Sequence, residues 1–218
     1  MARIVFDLDG TLVESAPTIA EAANRLLAEL GRAPLPIASV LAFVGHGMPR
    51  LVERVLTETG GVPGSDMAPH VVRYREIYGE DPVTGTVAYD HVAEVLGALA
   101  AAGHGLAVCT QKADPLALAI LQSLDLMPPI TALAGGDSVG VLKPDPRMFH
   151  FAADQLGDGP AVMVGDSETD AATARAAGVP FLLRRGGYHH GPEAAMAADG
   201  AFDDFRELPG LIEAVLAR

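Results

Sequence analysis

A chain of 218 residues, half of them hydrophobic, can bury one sizeable core or a core with a smaller companion, which excludes a disordered or fibrous protein. With 28 acidic against 15 basic residues the formal charge is -13, which opposes binding to nucleic acid or to an anionic membrane surface and obliges any anionic substrate to find local positive charge. The single cysteine, Cys109, excludes an internal disulfide, and no apolar run approaches membrane-spanning length, so a cytoplasmic protein, monomeric or homodimeric, is expected.

The chain opens with Ile4-Val5-Phe6, a strand-forming run that stops at Asp7-Leu8-Asp9-Gly10. Asp7 and Asp9 lie one strand period apart and point to the same side. At the carboxyl end of a parallel strand, such a pair holds a hard cation or performs acid, base or nucleophilic chemistry; a plain Asp-Gly turn is the alternative. Ser15 as a cap and Pro17 in the first turn predict a helix whose apolar face is Ile19, Ala22, Ala23, Leu26, Leu27 and Leu30, ending at Gly31. Helical patterns continue over 37–43, 49–59 and 69–78 with no strand among them.

From Thr86 the pattern alternates. A helix over 92–102 precedes a strand over 106–109 that ends at Thr110, and Asp114-Pro115 starts the next helix. Strands follow over 130–134, 161–164 and 179–183, separated by helices from Asp145-Pro146 and over 171–177, and a helix over 204–218 closes the chain. These βα units predict an α/β fold, a Rossmann-like parallel sheet wound on both faces. The expected organisation is an α/β core of residues 1–14 and 84–218, with a helical cap of 15–83 inserted after the first strand.

Unusual polar residues recur at the strand ends. Thr110 offers a hydroxyl to a phosphate oxygen, or serves only as a turn residue. Lys143 precedes a helix start; lone lysines are usually solvated, but Lys112 and Lys143 are the only two in a chain that otherwise uses arginine. In Gly165-Asp166-Ser167-Glu168-Thr169-Asp170, the spacing of Ser167 and Asp170 fits a capping box, which accounts for Asp170 and leaves Asp166 unexplained. Cys109 reads as core, the His189-His190 pair as a solvated loop, and Arg184 and Arg185 as surface or interface residues.

Asp7, Asp9, Thr110, Lys143, Asp166 and Asp170 match the order and approximate spacing of four motifs of the haloacid dehalogenase superfamily, which the chain resembles over essentially its whole length. The stretches Asp-Gly-Thr-Leu-Val-Glu-Ser-Ala-Pro at 9–17, Val44-Gly45-His46-Gly47, Gly135-Gly136-Asp137 and Lys143-Pro144-Asp145-Pro146 look like its phosphoglycolate phosphatase branch. Gln111 in Thr110-Gln111-Lys112 stands where Asn is common, and Glu14 where Asp is usual. The resemblance implies Mg²⁺ held by Asp7, Asp166 and the backbone carbonyl of Asp9, with Asp170 orienting the site. It further implies Asp7 as nucleophile, Asp9 as acid and base, Thr110 and Lys143 on the phosphoryl group, and Gln111 in substrate binding. The implied substrate is a small phosphorylated metabolite, 2-phosphoglycolate first. Rivals are another phosphatase, a pyrophosphatase or a phosphosugar mutase of the branch, and a non-catalytic phosphate-binding protein. A phosphonatase is discounted because 15–83 contains no lysine, and a dehalogenase because Asp9 is retained.

Core motifs that touch only the phosphoryl group cannot distinguish leaving groups, so selectivity is expected in the helical segment. Gly45, His46 and Gly47 offer a turn with free amides, and Arg50 and Arg54 on the following helix offer positive charge.

Overall fold

The computed structural model describes residues 1–217, so Arg218, the last residue of the expected closing helix, lies outside the described residues. In chain order the elements are β1 (Arg3–Phe6), β2 (Val13–Glu14), α1 (Ala16–Glu29), α2 (Ile37–Leu41), α3 (Met48–Glu58), α4 (Ala68–Glu80), β3 (Val87–Ala88), α5 (Val92–Ala101), β4 (Gly105–Cys109), α6 (Asp114–Ser123), β5 (Ala132–Ala134), α7 (Pro146–Asp154), β6 (Ala161–Gly165), α8 (Glu168–Ala177), β7 (Phe181–Arg184), β8 (Gly200–Phe202) and α9 (Leu208–Leu216).

Side chains alternate across each strand, and here both faces are covered. Ile4 and Phe6 point with Leu106, Val108, Val162 and Val164 into a core shared with α5, α6 and α9. Val5, Ala107, Cys109 and Met163 point the other way, against α7 and α8. Burial on both faces is why these strands read in sequence as unbroken apolar runs.

The six-stranded sheet has the order β5-β4-β1-β6-β7-β8, and every pairing in it is parallel. From β1 the chain builds outward through β4 to β5, then returns to the opposite side of β1 for β6, β7 and β8. That reversal makes the end of β1 the place where ligands bind in open parallel sheets. Phe6 is in register with both Val108 and Val164, so the residues that follow leave the sheet at nearly one level.

Helices α1 to α4 carry an apolar cluster of their own, in which Ala23, Leu26 and Leu27 of α1 meet Val52 and Leu56 of α3 and Tyr74 and Ile77 of α4. The chain enters and leaves this segment side by side, because β2 pairs antiparallel with β3, Val13 opposite Ala88 and Glu14 opposite Val87. The small β2–β3 pair and the edge strand β8 were not expected from the sequence. Helix α8 begins at Glu168 rather than 171, with Ser167 and Asp170 forming the capping box. Ser15 is the N-cap of α1, yet its side chain makes no cap hydrogen bond; it is engaged in the site.

Candidate active site

The carboxyl ends of β1, β4 and β6 deliver Asp7, Thr110 and Asp166 to one point, and the segment before α7 delivers Lys143. All four are buried. The Lys143 ammonium lies 2.9 Å from Asp7 Oδ1 and donates to Asp170 Oδ1 at 2.6 Å. Asp7 Oδ1 also accepts from the Leu8 N–H at 2.7 Å. Asp166 is held on both oxygens, Oδ1 by the Thr11 hydroxyl and Oδ2 by the Tyr188 N–H, each at 2.6 Å. A Cβ at Gly10, whose φ is +84°, would enter the space of the Asp166 carboxylate, and so would one at Gly187. These two positions can be only glycine if Asp166 is to stay where it is. Asp170 is saturated by Lys143, by the N–H groups of Asp166 and Ser167 and by the Ser167 hydroxyl.

Asp7, Asp166 and Asp170 bring carboxylate oxygens within 4.8 Å of one another. Burial pushes the Asp7 carboxyl well above its ordinary pKa, with Asp170 and Asp166 adding to the rise and Lys143 opposing it. Burial and Asp170 push Asp166 up to about 7, against the pull of Thr11, Tyr188 and Lys143. Three buried acids against one ammonium leave an excess of negative charge, and the donors are all oxygen. The set therefore fits a hard divalent cation. Cys109 borders the same charges and is inert, its thiol pushed up to about 12 by burial.

The Asp9 side chain stands apart from this trio. Its Oδ1 accepts from the Ser15 hydroxyl at 2.5 Å and lies 3.1 Å from the Lys112 ammonium, which also reaches the Tyr78 hydroxyl from α4. Burial works against the charge on Lys112, but Asp9 and Tyr78 outweigh it and lift the pKa above the ordinary lysine value. Asp7, Asp9, Thr110, Lys143 and Asp166 line a cavity of about 40 Å³. Asp9, Tyr74, Tyr78, Gln111 and Lys112 line a neighbouring one of about 90 Å³. Asp9 is thus at the junction of the two.

Of the residues expected in the helical segment, Gly45 borders both cavities and Gly47 borders the larger. His46 is exposed and lines a separate surface pocket with Arg50. Arg50 pairs with Glu53 one turn on, and the Arg54 guanidinium donates to the Ala42 carbonyl at 3.0 Å. Arg50 and Arg54 point away from the cavities because α3 turns its other face, Leu51, Val52 and Val55, inward; His46 lies in the turn before the helix. Gln111 donates from Nε2 to the Lys143 carbonyl at 3.0 Å.

Several site residues were missed in sequence. Lys112 shared the signal of lysine scarcity with Lys143, and that signal alone was available to find it. Tyr188 joins Asp166 to the start of the helical segment: its hydroxyl donates to Glu14 at 2.5 Å and accepts from the N–H groups of Ser15 and Ala16. Arg184, expected at the surface, stacks its guanidinium 3.4 Å from the Tyr89 ring centroid and donates to the Gly10 carbonyl at 2.9 Å. Arg185 is at the surface, paired with Glu193 and Asp203. His190 is exposed on a loop, as expected, and its imidazole also reaches the Val44 carbonyl at 2.9 Å.

Residues 1–178 match the family model of the haloacid dehalogenase-like hydrolases. A phosphoglycolate phosphatase of Cereibacter sphaeroides is 40% identical over 218 residues, the full length of both chains. Another, from Rhodospirillum rubrum, is 42% identical over 212 residues, covering 94% of this chain and 88% of its own. Among solved structures, a predicted phosphoglycolate phosphatase from Haemophilus somnus superposes with a TM-score of 0.89 at 29% identity, covering 96% of each chain.

Proposed function

Because the chain belongs to the haloacid dehalogenase-like hydrolases, we propose that it is a Mg²⁺-dependent phosphatase that hydrolyses 2-phosphoglycolate through a phosphoryl group carried on Asp7. The observation that carries this reading is the convergence of Asp7, Asp9, Thr110, Lys143 and Asp166 on one buried cavity from three adjacent strand ends and the α7 approach. Relatives named phosphoglycolate phosphatase along the whole chain supply the substrate.

Asp7 and Asp166 would hold Mg²⁺, with Asp170 and its four donors fixing their orientation. When bound, the cation supplies positive charge to the phosphoryl oxygens and draws Asp7 and Asp166 into their ionised forms. Among the described residues, both donors to Asp7 act on Oδ1, which leaves Oδ2 for attack. Asp7 forms a bond to phosphorus as the bond to the leaving alkoxide breaks, and Asp9 gives that oxygen its proton. Asp9, now a carboxylate, takes a proton from the water that attacks phosphorus, and Asp7 departs as a carboxylate. Lys143 offsets the negative charge of Asp7 as the phosphoryl group approaches. Thr110, whose Oγ1 accepts from the Lys112 N–H at 3.2 Å, keeps its hydroxyl proton for a phosphoryl oxygen.

The same reading takes residues 1–14 and 84–218 as the catalytic core and 15–83 as a cap that shields the phosphoryl-aspartate from bulk water. The test is phosphate release from a panel of metabolite monoesters with Mg²⁺ present and absent. Phosphoglycolate is expected to lead the panel, with no release without the metal. Asp7→Asn keeps the shape and removes the nucleophile, so turnover falls by at least about a thousandfold while the protein still folds. Substantial residual turnover in that variant would remove Asp7 from its role.

A further inference from the structure

The cavity of about 90 Å³ beside the Asp7 site is walled largely by apolar side chains, Ile19, Met48, Leu51 and Leu116 among them, and Lys112 is the single cation in its lining. Asp9 belongs to this cavity and to the phosphoryl cavity at once. A group that protonates the departing oxygen must touch it, so a leaving group seated at Asp9 extends into the apolar space and toward Lys112. We propose that Lys112, aided by the Tyr78 hydroxyl, recognises a short leaving group bearing a carboxylate and thereby sets the substrate class of the enzyme. This rests on the reading of Asp7 as nucleophile and Asp9 as acid and base.

An ammonium has three donors. Asp9 Oδ1 and the Tyr78 hydroxyl are the polar partners of the Lys112 ammonium among the described residues, so a third donor can serve an anion in the cavity that Lys112 lines. Apart from Asp9, which stands at the phosphoryl end, the lining holds no other charged side chain, and an unpaired carboxylate against apolar surface is strongly disfavoured, so a substrate anion is directed to Lys112. Arg50 and Arg54 do not compete, being engaged by Glu53 and the Ala42 carbonyl outside the cavity. Lys112 comes from the loop after β4 and Tyr78 from α4, so the receptor is complete only when the helical segment sits against the core. The cavity volume limits the leaving group to a few non-hydrogen atoms. Both observations favour a compact acid over a sugar.

The experiment compares kcat/KM for phosphoglycolate with that for ethyl phosphate, a neutral leaving group of the same length, in the wild type, Lys112→Met, Lys112→Arg and Tyr78→Phe. The preference for the carboxylate ester is expected to fall about ten- to a hundredfold in Lys112→Met, the range for loss of a hydrogen bond to a charged group. It should fall severalfold in Tyr78→Phe and be partly kept in Lys112→Arg. Competitive inhibition by glycolate should weaken in Lys112→Met by much more than inhibition by inorganic phosphate. Equal loss on both esters would show that Lys112 serves only to hold Asp9, and would overturn the proposal. If Lys112→Met fails to fold, the ratio in Tyr78→Phe and Lys112→Arg decides by the same criterion. The substrate named above can fail separately: a wild type inactive on phosphoglycolate but selective for phospholactate over ethyl phosphate, with Lys112→Met erasing that selectivity, would discard phosphoglycolate and support the role of Lys112.

Discussion

Asp166 is confined by four neighbours: the Thr11 hydroxyl, the Tyr188 N–H, and two glycines that leave no room for a methyl group. A Gly187→Ala substitution therefore pushes the carboxylate out of line with Asp7, and Mg²⁺ affinity, read by calorimetric titration, should fall by about ten- to a hundredfold. Tyr188→Phe separates two functions of one residue. The backbone bond to Asp166 survives, while Glu14, Ser15 and Ala16 lose their shared hydroxyl. Stability in urea should drop by about 1–3 kcal/mol with metal affinity nearly kept. None of this was legible from the residues alone. A tyrosine after two glycines carries no sign that its amide will meet an acid 22 residues earlier. Lys112 depends likewise on Tyr78, 34 residues away on another helix. Asp7, Asp9 and Asp166 were legible because acids that interrupt apolar strands have few purely structural uses.

The strands and helices that carry the site were readable for a related reason, since β1, β4 and β6 are buried on both faces and end abruptly at polar residues. Short pairings were not. In β2, β3 and β8, two or three residues are ordered by a neighbour supplied from elsewhere in the chain, and local pattern holds little trace of them. The apolar stripe Leu51, Val52, Val55 and Leu56 sets the inward face of α3 and leaves Arg50 and Arg54 outside the cavities, while His46 lies in the turn before it. The turn before α3 is tied to the core by the Thr169 hydroxyl, which donates to the Gly45 carbonyl at 3.2 Å, and by His190 on the Val44 carbonyl. In the double variant Thr169→Val, His190→Ala, amide exchange over residues 42–48 should accelerate while β1 stays protected, as hydrogen-exchange mass spectrometry would resolve. Unchanged exchange in that segment would mean that apolar packing alone holds it.

For the whole molecule, the buried acids make stability depend on pH and metal together. The fold raises the pKa of Asp7, and that of Asp166 from 3.8 to about 7, chiefly by burial. A raised carboxyl pKa means that the folded chain holds its proton more tightly than the unfolded chain. That contribution is complete below 3.8 and is lost as pH rises through about 7. On the proposed reading Mg²⁺ would take the place of those protons, so the gain in Tm on adding Mg²⁺ in place of a chelator should grow steadily across this window. A gain that shrinks as pH rises would show that the cation binds somewhere other than these acids.

The central position of β1 also constrains how the molecule comes into being. Asp7 directly follows β1, yet both strands that flank β1 come from far along the chain, and the Thr11 bond to Asp166 links residues 155 positions apart. Local contacts can assemble α1 to α4 early, whereas the sheet must wait for β6. A nascent chain released before β6 should hydrolyse nothing, however well its helices form. The onset of phosphate release therefore marks the moment at which β1 has gained both of its neighbours, β4 and β6.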